Sequence, residues 1–237
     1  MDSNRRQLII GGSALITSSL TLPLSALAQA KKEEKKNTEV PKKEPDGGEV
    51  STNEDLMREH GVLNRILLVY EEAERRIAAK QQFDPAIIGN AAGLIKSFIE
   101  DYHEKLEENH LFPRFEQAGK LIELTVVLRA QHAMGRRVTE RLLASSKSKD
   151  LKMMAESLQQ FVRMYRPHEA REDTVLFPAL HQLVSPHEYD AMGEEFESIE
   201  RKTFGGDGFE MAVDKVTELE KQLGIYDLSQ FTPDVPL

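Results

Sequence analysis

Apolar side chains recur every three or four residues along most of the chain beyond residue 51, and this spacing places them on one face of an α-helix. The pattern predicts four long helices, each preceded by a break or by a residue that favours a helix start. The first helix follows a capping box formed by Ser51 and Glu54. The predicted starts are Thr52, Asp84-Pro85, the residues after the Ala118-Gly119 break, and Leu151.

Four long helices joined by short links indicate an all-α protein with an up-down four-helix bundle. The apolar stripes repeat close to every 3.5 residues, as left-handed packing at about 20° requires. Two further helices are predicted to pack against this bundle, one after the Ser185-Pro186 start and one after the glycine-rich turn at residues 205–208. The chain therefore divides into a bundle at residues 51–184 and appended helices with a tail at 185–237.

The second and fourth helices carry an internal duplication. Residues 103–113 and 168–178 are identical at six of eleven positions, with a constant offset of 65 residues. Each copy contains the pattern His-x-x-x-Glu and ends in Leu-Phe-Pro. Pro113 and Pro178 are expected to kink or end their helices, because proline lacks an amide hydrogen and clashes one turn back.

The duplicated pattern predicts a metal site on the inward face of the helices. A histidine and a glutamate four residues apart lie about 5–6 Å apart on one helix face and can bind one ion together. Each half adds one inward histidine from its preceding helix. The candidate metal ligands are His60, His103, Glu107, His132, His168 and Glu172.

Burial gives these six residues a reason to bind metal. Each buried imidazole or carboxylate without a partner costs several kcal/mol, and six would exceed the roughly 5–15 kcal/mol that stabilises a domain. Two divalent cations would outweigh the negative charge of the two glutamates, which leaves room for a bridging hydroxide or a bound anion. Oxygen and nitrogen ligands suit iron, manganese or zinc, and the ligand types alone do not choose among these metals.

The ligand set and the repeated Leu-Phe-Pro resemble the hemerythrin-like cation-binding family over about residues 52 to 184. The resemblance implies two iron ions, as Fe2+ or Fe3+, held between four helices and bridged by carboxylates and by a hydroxo or oxo group. It also implies that the site binds dioxygen or a related small oxidant.

The sequence departs from the oxygen-carrying hemerythrins at two positions. Their third helix has a second histidine four residues after the first, where this chain has Arg136, so coordination by five histidines is not available. Their last carboxylate corresponds to Asp173, whereas the duplication favours Glu172 and leaves Asp173 as the alternative. The set is closer to hemerythrin-like iron- and oxygen-sensing domains, in which Glu104 would be a further ligand. Arg136 either neutralises a bridging carboxylate or extends into water.

Composition narrows the chemistry further. The chain has no cysteine, which excludes disulfides, zinc ribbons, iron–sulfur clusters and thiol nucleophiles. A formal net charge of -9 argues against a nucleic-acid partner or an anionic membrane surface, because either would need a cationic face. Hydrophobic residues make up 40% of the chain and aromatic residues only 6%, which favours amphipathic helices over a sheet.

The first 28 residues have the features of a signal peptide. Arg5 and Arg6 precede an apolar run that ends before Ser25-Ala26-Leu27-Ala28, where small residues suit a signal peptidase. The run is too short and polar for a good membrane span, so we expect none in the mature chain. The residues around Arg5-Arg6 resemble a twin-arginine signal, which implies a periplasmic protein. Residues 29–50 are rich in charge and predict a disordered linker.

Three functions are compatible with this sequence. The first is a di-iron binding protein that senses, stores or buffers dioxygen or a related oxidant. The second is a di-iron oxidoreductase that removes peroxide or nitric oxide, which would need an open coordination position and a redox partner protein as electron source. The third is sequestration of iron or another divalent cation. Binding is the preferred interpretation, because no sequence feature specifically supports turnover.

Overall fold

A computed structural model describes residues 50–233, and all the regular structure within that range is helical. The prediction of an all-α protein is confirmed for this part of the chain. The signal peptide predicted at 1–28 and nearly all of the linker predicted at 29–50 lie outside the described residues. The helices are α1 (Thr52–Ala78), α2 (86–117), α3 (Ile122–Ser148), α4 (151–183), α5 (Pro186–Phe204) and α6 (Gly208–Leu223), followed by a short 3-10 turn (Leu228–Phe231).

The helix starts agree closely with those predicted from capping residues. Ser51 Oγ accepts a hydrogen bond from the backbone amide of Glu54, and α1 begins at Thr52. Asp84 Oδ1 accepts a hydrogen bond from the amide of Ala86 at the start of α2. Asp150 caps α4 by accepting hydrogen bonds from two amides of its first turn. These acceptors satisfy amides that no residue within the helix can reach.

The prolines of the two Leu-Phe-Pro repeats do not end their helices, which corrects one alternative of the prediction. A π-helical turn precedes each proline, and its wider hydrogen-bonding pattern accommodates a residue that cannot donate an amide hydrogen. The helix continues beyond Pro113 to Gln117 and beyond Pro178 to Leu183. The π-helical segments are Ile95–His103 and Glu107–Leu111 in α2, and Glu172–Leu176 in α4.

Helices α1 to α4 surround one hydrophobic core. Helix α4 packs against α1 and α3, and α2 packs against α1 and α3. Large side chains fill the centre, including Tyr70 and Phe161, whose rings meet edge to face with centroids 5.4 Å apart. The described residues belong to one compact unit, and its apolar faces meet as the periodic stripes require.

The two C-terminal helices are anchored to α1. Arg65 of α1 forms an ion pair with Glu220 of α6 at 2.5 Å and donates a hydrogen bond to Thr217. At the other end of α1, the Tyr189 hydroxyl of α5 accepts a hydrogen bond from the amide of Asn53. Both helices thus pack against the bundle. None of the helices in the described range is long and apolar enough to cross a membrane.

Candidate metal centre

The fold brings all six predicted ligands together inside the bundle. Each of the four helices α1 to α4 contributes one histidine, and α2 and α4 each contribute one glutamate as well. None of these six residues is more than 4% exposed. The residues are His60 on α1, His103 and Glu107 on α2, His132 on α3, and His168 and Glu172 on α4.

The four histidines form two pairs. His60 Nε2 and His103 Nε2 are 3.0 Å apart, and His132 Nε2 and His168 Nε2 are 3.2 Å apart. We refer to the space at the first pair as position 1 and to the space at the second pair as position 2. Each pair lies within reach of a glutamate oxygen, so that the three ligand atoms could bind one ion at each position.

Each glutamate lies between the two histidine pairs. Glu172 Oε2 is 3.5 Å from His60 Nε2 and 3.1 Å from His168 Nε2. Glu107 Oε2 is 3.7 Å from His103 Nε2 and 3.5 Å from His132 Nε2. Each carboxylate therefore lies within reach of a histidine from both positions.

The carboxylate oxygens without hydrogen-bond partners at the centre are suited to binding cations. Both carboxylate oxygens of Glu107 and both of Glu172 are buried and have no hydrogen bond of acceptable geometry to any described residue. Burial and the neighbouring Glu172 raise the pKa of Glu107 well above its ordinary value. Two adjacent buried carboxylates ionise together only when positive charge compensates them. The donor atoms are those that iron, manganese and zinc accept in proteins.

The outer nitrogen of every histidine faces a hydrogen-bond acceptor on a neighbouring helix. Three of these nitrogens face a carboxylate, and the fourth faces an amide oxygen. The contacts are His60 Nδ1 to Asp173 (2.7 Å), His103 Nδ1 to Glu59 (2.6 Å), His132 Nδ1 to Glu108 (3.2 Å) and His168 Nδ1 to Gln131 (2.9 Å). An ionised carboxylate only accepts hydrogen bonds. In their ionised form these carboxylates therefore favour the imidazole tautomer that carries its proton on Nδ1 and directs the Nε2 lone pair inward.

These four contacts form a closed ring around the bundle. His60 links α1 to α4, and His168 links α4 to α3. His132 then links α3 to α2, and His103 links α2 back to α1. Every helix of the bundle thus provides one imidazole and one acceptor.

Asp173 and Glu104, the two alternative ligands, have other contacts in the structure. Asp173 lies behind His60 on the side of Nδ1, away from the paired Nε2 atoms. Glu104 accepts hydrogen bonds from the Tyr165 hydroxyl at 2.7 Å and from Arg136 at 2.6 Å. Asp173 and Glu104 therefore support the ring and the core around it.

Arg136 pairs with two carboxylates next to the candidate metal ligands. Its guanidinium lies 2.6 Å from Glu104 and 2.8 Å from Glu108. Glu104 and Glu108 form a possible cation site together with His132. Arg136 supplies positive charge beside these carboxylates, and its neutralisation of a bridging carboxylate stays a prediction.

Sequence reasoning missed the acceptors Glu59 and Gln131. Each directly precedes the histidine of its own helix, in the pairs Glu59-His60 and Gln131-His132. Their equivalent places in the two halves were a usable signal, since the halves of a duplication share contacts as well as ligands. The signal is weak, because a polar residue beside a buried histidine usually faces solvent.

The fold and the centre define a helical-bundle protein with a buried histidine and glutamate site for cations. The model of the hemerythrin HHE cation binding domain matches residues 51–180, and the chain belongs to this family. Uncharacterized proteins of Mycobacterium bovis and of two Mycobacterium tuberculosis strains are each 50% identical over 190 residues, covering 78% of this chain and 74% of theirs. No solved structure matches the chain.

Proposed function

We propose that this protein is a non-haem di-iron protein that binds dioxygen or a related small oxidant for sensing, storage or buffering. The observation that carries the proposal is the position of Glu107 and Glu172, each within 3.7 Å of a histidine from both pairs. Membership in a cation-binding family supports the same interpretation.

The ligand count favours binding of an external molecule. Each position has two imidazole nitrogens and two shared carboxylate oxygens, which is fewer than the six ligands of octahedral coordination. Because all six ligands are at most 4% exposed, only a molecule of a few atoms could reach the centre without a large opening of the helices. A diatomic or similarly small oxidant meets both conditions.

The protein groups would act by holding and orienting the metals. Iron, when bound, would supply reversible electron transfer to the oxidant. The ring of acceptors keeps the proton of each imidazole on Nδ1 and leaves Nε2 free to coordinate. Tyr165 donates to Glu104, and Arg136 pairs with the same carboxylate, so the polar groups next to the ligands are fixed in place.

The proposal also covers the topology and the destination of the chain. Residues 79–85, 118–121 and 149–150 connect consecutive helices, and links of this length favour an up-down order of α1 to α4. Arg5-Arg6 and the apolar run after them support a twin-arginine signal peptide at 1–28 and export to the periplasm. A folded metal centre is compatible with that route.

The test is metal analysis followed by a spectroscopic titration. The purified protein is analysed for metals, loaded with ferrous iron without oxygen, and then exposed to oxygen while its absorption spectrum is recorded. We expect two irons per chain and new near-ultraviolet and visible bands that reverse when oxygen is removed. Bands that decay as oxygen is consumed would favour the oxidoreductase instead. Zinc, or no bound metal, would contradict the di-iron proposal.

A matched pair of variants separates the centre from the remaining histidines. Replacing His103 and His168 together with Ala should abolish binding of two metals. His110→Ala is the control, because His110 is on α2 but contacts Glu195 and Phe196 away from the centre. Unchanged metal stoichiometry in the double variant would rule out this ligand assignment.

A further inference from the structure

The two metal positions differ in the groups behind their histidines. Glu59 and Gln131 occupy equivalent places in the two halves, each directly before the first histidine of its half. Glu59 accepts from His103 at position 1 with a carboxylate, at 2.6 Å. Gln131 accepts from His168 at position 2 with a neutral amide, at 2.9 Å. The two halves thus share the hydrogen bond but differ in the charge of its acceptor.

The remaining acceptors increase this difference. At position 1, Asp173 is 2.7 Å from His60 Nδ1. At position 2, Glu108 is 3.2 Å from His132 Nδ1, and the same carboxylate pairs with Arg136 and Lys105. Two cations compete for the negative charge of Glu108.

The positively charged side chain of Arg136, beside position 2, also has a neutral counterpart in the other half. Arg136 follows His132 by four residues, and Asn64 follows His60 by the same step. Arg136 pairs with Glu104, whereas Asn64 donates a hydrogen bond to Glu169, the residue equivalent to Glu104 in the duplication. Position 1 therefore has two carboxylate acceptors and a neutral amide nearby, while position 2 has one carboxylate, one amide and a guanidinium.

These differences all favour tighter metal binding at position 1 than at position 2. A carboxylate that accepts the Nδ1 proton raises the basicity of the imidazole and strengthens its bond to a metal, and removal of such a partner typically costs about 10–100-fold in metal affinity. A neutral amide holds the ring in the same orientation but adds no negative charge. The guanidinium of Arg136 also repels a cation at position 2.

Position 2 also has a surface cleft beside one of its histidines. His168 and Gln131 line an open cleft of about 340 Å³ between α3 and α4, together with Val127 and Arg171. Outward rotation of Gln131 would expose the outer face of His168 to this cleft. A metal at position 2 would thus be bound by a histidine that lines this cleft.

We infer that the two positions are unequal, so that position 1 fills first and retains its metal while position 2 binds more weakly and exchanges its metal through the cleft. This inference rests on the proposed two-metal centre. It assigns Glu59 and Gln131 as positioning residues that set the order of metal loading. The protein would consequently exist as a stable one-metal form when iron is scarce.

The test is a competition for ferrous iron between the protein and a chelator under anaerobic conditions, with the number of metals retained per chain as the readout. The natural protein should lose its first iron at a chelator concentration about 10–100-fold lower than the concentration that removes the second iron. Retention of one iron over that interval is the expected result. Simultaneous loss of both irons would overturn the inference while leaving the two-metal centre intact, and failure to bind any iron would overturn the proposed function as well.

Reciprocal variants test the assignment of the two residues. Glu59→Gln should lower the tighter affinity by about 10–100-fold, so that both irons leave together. Gln131→Glu should raise the weaker affinity, and a gain in affinity cannot result from misfolding. The inference would be wrong if Glu59→Gln weakened only the looser iron, or if Gln131→Glu left both affinities unchanged.

A histidine variant in each pair identifies the positions directly. His168→Ala should retain the tighter iron, whereas His103→Ala should retain only the looser one. Circular dichroism and thermal unfolding of the metal-free variants check that the helices are intact. The opposite order of affinities would overturn the assignment.

Discussion

The Tyr165 hydroxyl occupies the space where a side chain at Gly135 would begin. A Cβ added at Gly135 would lie 2.0 Å from that hydroxyl oxygen, which is far inside contact distance. The close approach lets α3 and α4 meet beside the metal centre, and it positions the hydroxyl 2.7 Å from the Glu104 carboxylate. A residue without a side chain therefore makes room for a hydrogen bond to a buried acid.

Gly135→Ala should destabilise the protein because the new methyl group displaces Tyr165 and breaks its hydrogen bond to Glu104. We expect a loss of about 1–3 kcal/mol in the free energy of unfolding, measured by denaturant titration. Gly61→Ala is the control, since nothing lies within 4 Å of the added Cβ and the residue is inside α1. That change should stabilise the protein by about 0.5–1 kcal/mol. Equal effects of the two substitutions would refute the steric explanation.

Glu172→Gln should weaken both metals, whereas His168→Ala should remove only one. The reason is geometric, because Glu172 reaches a histidine of each pair and His168 belongs to one pair. We expect both metals of the glutamine variant to bind on the order of tenfold more weakly or worse, or about 1.4 kcal/mol each. Metal stoichiometry measured against a chelator distinguishes the two variants. Loss of a single metal in Glu172→Gln would show that this carboxylate does not bridge.

The metal-free protein should become less stable as the pH rises from 6.5 to 8. Burial raises the pKa of Glu59, Glu104 and Glu169 to about 8, while an unfolded glutamate titrates near about 4.3. Between these values the folded state holds more protons than the unfolded state, so the free energy of unfolding falls with rising pH. Each group contributes at most about 1.4 kcal/mol per pH unit.

The chosen pH interval limits an opposing effect. Burial lowers the pKa of His103 and His132, and this works in the other direction near and below the ordinary histidine value of about 6.5, fading as the pH rises further. Thermal unfolding at pH 6.5 and 8 measures the predicted decrease, and Glu169→Gln should reduce it. Bound metal should also reduce it, because nearby cations favour the ionised carboxylates. A metal-free protein with constant or rising stability over this interval would disprove the prediction.

Arg136→Ala should destabilise the protein through the buried Glu104. The substitution removes the charged partner of that carboxylate and leaves it with the Tyr165 hydroxyl alone. We expect a loss of about 1–3 kcal/mol in chemical unfolding. The effect should shrink when Glu104 is also changed to Gln, because a glutamine at this position does not depend on a charged partner. Arg137→Ala, at the exposed neighbouring position, should change stability by less than about 0.5 kcal/mol.

The sequence was sufficient to predict the helices because their signals are local. Ser51, Asp150 and Ser185 each cap a helix that begins at the next residue, and each can be recognised without knowledge of the fold. The inward histidines and glutamates were equally visible, since the duplication repeats them on apolar stripes. Their convergence in the core follows from the packing of those stripes.

The π-helical turns could not be predicted in the same way. A helix turn of this kind adds one residue to the hydrogen-bonded loop. The spacing of apolar residues at three- and four-residue steps does not reveal such an addition. In each repeat the turn begins at the glutamate that is a candidate metal ligand, Glu107 or Glu172, and ends before the Phe-Pro pair. The repeated proline was a signal of the irregularity, although not of its form.

The acceptors behind the histidines required the tertiary structure. Each of these contacts joins two helices, so sequence spacing within one helix says nothing about it. Asp173 shows the difficulty, because its place five residues after His168 suggested that it binds a metal together with that histidine. It instead reaches His60 of α1 across the bundle.

The closed ring of imidazole–acceptor contacts has a consequence for how the protein acquires its centre. Each helix both gives and receives one contact, so the first three helices, α1 to α3, leave two contacts open and neither histidine pair fully supported. A nascent chain therefore cannot assemble the centre until α4 docks, which makes completion of the centre a late event in folding. Metal that binds at that stage would stabilise the finished bundle and slow its unfolding.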